Sequence, residues 1–128
     1  MFTLEQIRLA HSKVKSGADF PSYAREIKEL GVYSYVSFVT DGHTDYFGKK
    51  GYQTSSQARY EQLAIADRSN IEEFIKELKD HQQGGTDYIT FCRLSAKMGV
   101  EKWVVDITKM TCTYYDKSGG SMLIEDIP

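Results

Sequence analysis

The sequence predicts an α+β fold in which helices pack against one antiparallel sheet. A chain of 128 residues has the size of one ordinary domain. Segments with helix-capping residues and apolar residues spaced three and four apart end at a glycine. Each is followed by a run rich in β-branched and aromatic residues, and this order occurs twice. We therefore predict a single domain, residues 1–128, built from two helix-helix-β-meander halves at about 3–52 and 69–127. Residues 53–68 are interpreted as an insertion with a strand at 63–65.

Two helices are expected at the start of the chain. Thr3 and Gln6 have the spacing of a capping box, and apolar residues recur at intervals of three and four as far as Val14. The second helix is expected to begin after Asp19 and to end at Gly31, where glycine suits a left-handed C-terminal cap. This half therefore starts with a helical hairpin.

A β-hairpin is expected next. Residues 32–40 are rich in β-branched and aromatic side chains, and Asp41-Gly42 is a hairpin turn signal. Residues 43–49 can return as the partner strand.

The second half repeats this order. Ser69 and Glu72 have capping-box spacing, and Asp87 is placed to cap a further helix that ends at Gly99. Three strands are then expected at 101–107, 111–117 and 121–127.

An internal duplication accounts for the repeated order. An offset of 68 positions gives ten gapless identities across 35 positions, among them Gly17 with Gly85 and Arg25 with Arg93. Two unrelated units with similar helix and turn signals are the alternative explanation. We prefer the duplication because arginine is not a turn or cap residue.

Strand periodicity divides the central strands into two faces. Tyr35 and Ser37 share a face, and the aligned strand of the second half carries Trp103 there. We expect Trp103 to be buried, and aromatic residues at the duplicated positions, Phe47 and Tyr115 included, to pack in a common core.

The opposite face is the candidate interface. The first half carries Val36 and Phe38 on the face whose aligned strand in the second half carries Lys102, Val104 and Asp106, so Phe38 stands where the second half has a carboxylate. An apolar ring at a solvated position indicates a contact, so we expect either the insertion or a second copy of the chain to cover it.

Composition excludes several classes of protein. With 41% hydrophobic and 27% charged residues the chain is neither disordered nor fibrous. The net charge of −2 argues against nucleic acid as a partner.

No apolar run is long enough for a membrane helix and no signal peptide is apparent, so we expect no membrane partner and a cytoplasmic location. Cys92 and Cys112 are interpreted as reduced structural thiols.

The chain contains no familiar catalytic motif. Asp41, His43 and Asp45 could place three metal ligands on one face, but Asp-Gly is turn chemistry, and we predict neither a metal site nor a cofactor. His11 and His81 have no carboxylate or nucleophile near in sequence, and are expected to cap helices or to make interhelical contacts. No catalytic residue is predicted.

Four segments, 10–20, 41–49, 101–106 and 109–117, resemble the YdfO-like and YbcV-like family of small enterobacterial proteins that are often encoded by prophages. The resemblance spans nearly the whole chain. It implies a prophage origin, and it implies no activity, cofactor or catalytic residue.

Two functional hypotheses follow. The first is a non-enzymatic cytoplasmic protein that binds another protein, or its own copy as a homodimer, through Val36 and Phe38. The alternative is a small-molecule-binding domain or enzyme with a site between the halves, in the space left by Ser37 and Gly48. Its expected lining is Tyr35, Ser37, His43 and Asp45. A cavity with convergent polar groups favours the alternative, and a filled core with an exposed apolar patch favours the first.

Overall fold

Four helices and a six-stranded antiparallel sheet form the structure, a computed structural model that describes residues 1–128, and the predicted α+β class is confirmed. The helices are α1 (Leu4–His11), α2 (Phe20–Leu30), α3 (Ile71–Gln82) and α4 (Tyr88–Lys97). The strands are β1 (Ser34–Phe38), β2 (Thr44–Phe47), β3 (Gln53–Ser55), β4 (Val100–Asp106), β5 (Thr111–Asp116) and β6 (Ser121–Asp126). Short 3₁₀ turns lie at Gly17–Asp19 and Lys49–Gly51.

The helix caps agree with the sequence signals at one helix and differ at another. At α1 the Gln6 amide donates to the Thr3 hydroxyl over 3.2 Å, and the Thr3 amide donates back to the Gln6 side chain over 2.9 Å. The expected box at Ser69 is wrong, because Asn70 caps α3 and accepts from the Glu73 amide over 3.2 Å. Both residues suit an N-cap, so the choice depends on how the chain enters the helix.

The two halves meet at the centre of the sheet. The strand order is β3-β2-β1-β4-β5-β6, so β1 and β4 lie side by side. In their antiparallel register Val36 faces Val104, and these two residues are related by the 68-position offset. This register is consistent with a duplication, and the duplication and its twofold axis stay predictions.

The region interpreted as an insertion has a different structure. Residues 53–55 form the edge strand β3, which pairs with β2, whereas residues 63–65 belong to no strand. Residues 56–68, called here the connecting segment, have no helix or strand. Backbone bonds fix this segment at several places: Leu63, for example, donates to Thr40 over 2.7 Å, and Ala66 donates to Ala96 over 2.9 Å.

All four helices pack on one face of the sheet, the helix-covered face. Residues from every helix join the buried core with Tyr35, Trp103 and other residues of alternate strand positions. Trp103 is 9% exposed, so its predicted burial is confirmed.

The other face, called here the open face, carries no helix. Val36 and Phe38 are only half-buried there, and Ile124 is 62% exposed. Phe47 and Tyr115 were expected in the core, but their register places them on the open face, opposite Ser34 and Lys102 respectively. The expectation of a shared aromatic core is therefore wrong for these two rings.

None of the four helices has the length and apolar character needed to cross a membrane.

Trp103→Ala is expected to lower the free energy of unfolding by about 3–5 kcal/mol, as large aromatic truncations in cores do. The indole packs against Phe91 and Tyr114, each with a centroid distance of 5.8 Å. Denaturant titration measures the loss, and Ile124→Ala on the open face is the control, with an expected change within about 0.5 kcal/mol. A loss below about 1 kcal/mol for Trp103→Ala would contradict its place in the core.

Candidate functional site

A cavity of about 970 Å³ lies between the helix-covered face and the two helix pairs. Its floor comes from the four inner strands, and includes Tyr35, Ser37, Tyr46, Trp103 and Tyr114. Pockets that hold small molecules measure about 300–1,000 Å³, so the cavity is large enough for an organic ligand.

The cavity exists because each helix pair packs mainly within itself, α1 with α2 and α3 with α4. The pairs approach each other where the 3₁₀ turn at Gly17 meets the end of α3. A Cβ atom on Gly17 would lie 2.7 Å from the Gln82 carbonyl oxygen, so only glycine permits this contact. The two helix pairs therefore meet at one end of the cavity and leave the space over β1 and β4 open.

Ser37 leaves space above the floor of the cavity because its side chain is small. Its side chain is buried, and its hydroxyl lies 3.3 Å from the Thr44 hydroxyl on the neighbouring strand. The sequence-based expectation that Ser37 opens space between the halves agrees with this position.

Two polar groups face the cavity without a protein partner. Neither the Tyr35 hydroxyl nor the Trp103 indole N–H donates a hydrogen bond within the chain, and both residues line the cavity. Since no fully buried side-chain polar atom lacks a partner, these two groups are open to the cavity itself. They are hydrogen-bond donors that a ligand can use.

The tyrosines of the cavity are uncharged at neutral pH. Burial raises the pKa of Tyr35 well above its ordinary value, and burial likewise raises the pKa of Tyr23, Tyr46 and Tyr88. Their hydroxyls therefore act as neutral donors and acceptors on largely aromatic walls.

His81 and His11 make interhelical contacts, as the sequence suggested. The His81 ring stacks on Phe91 at 4.3 Å, and its Nδ1 lies 3.0 Å from the Thr86 carbonyl oxygen. A carbonyl only accepts, so Nδ1 donates and Nε2 is left as an acceptor. His11 packs edge-on against Tyr23 at 5.3 Å.

The thiols lack the properties of nucleophiles. Burial raises the pKa of Cys112 to about 12, and burial also raises the pKa of Cys92. Both are buried and protonated at neutral pH, whereas nucleophilic attack requires a thiolate.

The four side chains predicted to line one site lie on two different faces. Tyr35 and Ser37 line the cavity. Asp45 pairs with Val36 on the open face, and the His43 ring stacks on Phe38 at 4.4 Å. The predicted single site is therefore wrong, because the sheet separates Tyr35 and Ser37 from His43 and Asp45.

Gly48 was also expected to open the cavity, and this is wrong as well. A side chain there would lie 2.7 Å from the Phe2 ring, so the glycine accommodates Phe2 instead.

His43 organises the hairpin turn. Its amide donates to Asp41 over 3.0 Å, and its Nε2 lies 3.7 Å from Asp45. Burial raises the pKa of Asp41, but the hydrogen bonds from His43 outweigh burial and lower it below its ordinary value. No three His, Cys, Asp or Glu side chains of the chain are grouped as ligands for a metal ion. The cluster therefore has the properties of a turn.

Sequence reasoning missed Arg59. Its guanidinium carbon lies 5.2 Å above the centroid of the Tyr88 ring on the cavity wall. The residue belongs to the connecting segment, where no periodicity or motif marks a functional position.

We expect the protein to lose stability as the pH falls from about 7 to 5. Burial lowers the pKa of His81, and burial followed by the charge of Arg59 lowers the pKa of His11. Below the ordinary histidine value of about 6.5 the unfolded chain binds more protons than the folded chain, so acid favours unfolding.

Urea titrations at the two pH values measure this effect, and His81→Gln should make the difference smaller. An unchanged or higher stability at the lower pH would contradict the prediction. The measurements stay above the range near pH 4 in which aspartates titrate.

Comparison with known protein families identifies one family for this chain. No curated protein matches the chain. One family profile, described as protein of unknown function (DUF1398), matches residues 8–126. The resemblance to YdfO-like and YbcV-like proteins, the prophage origin and the cytoplasmic location stay predictions. Because the match spans nearly all of the chain, the chain belongs to the DUF1398 family.

Proposed function

We propose that this protein binds a small organic molecule in the cavity between its helix pairs. The observation that carries the proposal is the size of the cavity, about 970 Å³, together with the unpartnered donors of Tyr35 and Trp103 at its surface. This proposal follows the alternative drawn from the sequence. Tyr35 and Ser37 remain in the site, and His43 and Asp45 do not.

The lining supports a planar, largely apolar ligand. Trp103 packs against two tyrosine rings, Tyr114 at a centroid distance of 5.8 Å and Tyr88 at 6.4 Å. Aromatic side chains offer flat faces and edges to a ring system, and the two donors can orient it.

The same lining supports binding rather than covalent catalysis. Cys112 is protonated, and the cavity tyrosines are neutral. A covalent mechanism needs an activated nucleophile, usually beside a general base. We therefore propose a carrier or sensor.

Ser37→Phe is expected to place a ring on the cavity floor, between the strands that carry Tyr46 and Trp103, and to weaken binding. The neutral fluorophore N-phenyl-1-naphthylamine serves as the probe, and the fluorescence of Trp103, the single tryptophan, reports contact with the floor. The wild type should bind the probe with quenching of Trp103, and Ser37→Phe should lower the affinity about tenfold or more.

Ser34→Phe is the matched control, since it adds the same ring to the same strand but on the open face. It should bind the probe as the wild type does. Equal binding by Ser37→Phe and Ser34→Phe, with both variants folded, would sink the proposal.

We propose self-association through the open face as a second function. The connecting segment does not cover this face: its Tyr60, Leu63 and Ile65 pack against the core on the other side. Val36 and Phe38 are left half-buried, and Ile124 is 62% exposed. A second copy of the chain is the simplest occupant of this face. Lys102 and Asp45 give the face charges of both signs, so the face is complementary to a copy of itself.

Phe38→Lys is expected to dissociate the dimer. Light scattering over a concentration series should give the wild type a mass above the 14.6 kDa of one chain, and return the variant to that value. A wild type that remains a monomer at all concentrations would contradict self-association while leaving the cavity proposal intact.

A further inference from the structure

Arg59 is a cation without a carboxylate partner. It takes part in none of the five ion pairs of the chain. Its guanidinium lies over the Tyr88 ring at the mouth of the cavity, and the residue is exposed. An arginine in this position has its donors free for a ligand.

The backbone that carries Arg59 is fixed. The Arg59 amide donates to the Asp41 carbonyl over 2.8 Å, and the hydroxyl of the neighbouring Tyr60 donates to the Val39 carbonyl over 2.6 Å. Gly42 permits this approach, since a Cβ there would lie 2.7 Å from the Tyr60 ring. The connecting segment thus holds Arg59 at the cavity although it forms no helix or strand.

The charge of Arg59 changes the pKa of side chains on several elements around the cavity. It opposes the burial that raises the pKa of Tyr23 and Tyr46, and it adds to the burial that lowers the pKa of His11. These groups belong to α2, β2 and α1 respectively. An anion held by Arg59 would therefore lie among neutral hydroxyls and rings.

Three carboxylates line the cavity, Asp87, Glu125 and Asp126, and two of them have partners. Glu125 on β6 accepts from the Tyr114 hydroxyl and from Gln82, each over 3.2 Å. Asp87 accepts from the Thr90 amide at the start of α4. The remaining charged lining residues are Lys15 and Asp126, both exposed. An anionic group is therefore repelled from the β6 side and attracted to the cations of the lining, of which Arg59 is the one that lies over an aromatic ring of the wall.

We infer that the ligand is an organic anion with a planar, apolar body, whose anionic group binds the Arg59 guanidinium while its rings occupy the aromatic cavity. This inference rests on the proposed binding function. A carboxylate, sulfonate or phosphate group suits the site, since a guanidinium can donate two parallel hydrogen bonds to each.

A matched pair of fluorophores tests the anionic group. 8-Anilinonaphthalene-1-sulfonate and N-phenyl-1-naphthylamine share a ring system, and only the first carries a sulfonate. The wild type is expected to bind the sulfonate more tightly by about tenfold. Added salt should weaken binding of the sulfonate and spare the neutral probe.

Arg59→Gln should lower the affinity for the sulfonate to about that for the neutral probe, and so remove the preference. Arg68→Gln is the matched control, because it removes the same charge from the end of the same segment but outside the cavity lining. Phe38→Lys is a second control, which checks that the probe does not bind the open face. If Arg59→Gln does not fold, Arg59→Lys, which keeps the charge but not the forked donors, should bind the sulfonate less tightly than the wild type.

The outcomes separate the two proposals. Equal affinity of the wild type for both probes, or an Arg59→Gln variant that keeps the preference, overturns the anion site and leaves the binding cavity standing. Failure of both probes to bind, or binding that survives Ser37→Phe, overturns the cavity proposal itself. Loss of the preference in Arg59→Gln but not in Arg68→Gln supports the inference.

Discussion

The pairing of β1 with β4 is the contact on which the rest of the structure depends, because it is the junction of the two halves within the sheet. Residues 34–38 lie antiparallel to residues 102–106, with Val36 opposite Val104. This ladder makes one continuous sheet of two meanders. Each helix pair covers its own meander, so the cavity forms above the junction.

The small residues at and near the β1–β4 junction explain why side chains do not fill the cavity. Ser37 and Val105 lie on the floor, where larger side chains would occupy the space between the helix pairs. Gly17 allows the helices to meet at one end without a side chain between them. The core is otherwise well packed around Phe74, Ile27 and Ile107, which are fully buried. The cavity is thus a local feature of a well-packed domain.

The two faces of the sheet offer different chemistry. The helix-covered face presents aromatic rings, neutral hydroxyls and the guanidinium of Arg59, which suits a small ligand. The open face presents half-buried apolar side chains such as Val36, beside charges such as Lys102, which suits a flat partner. Because neighbouring residues of a strand point to opposite faces, β1 contributes to both surfaces. A single residue of this strand can therefore be altered on one surface without altering the other.

The sequence by itself determined the α+β class, the glycine that ends α2, the positions of every strand except β3, and the two faces of β1 and β4, because these depend on local spacing and periodicity. Tertiary structure decided which face His43 and Asp45 occupy, because the hairpin register pairs Ser37 with Thr44, and a shift of one residue would exchange the faces. It also decided that Asn70 rather than Ser69 caps α3. The position of Arg59 depends on the path of a segment without periodic structure, fixed by bonds to Thr40, Asp41 and Ala96 that are distant in sequence. For that reason the fold could be read largely from local patterns, and the site only from the assembled chain.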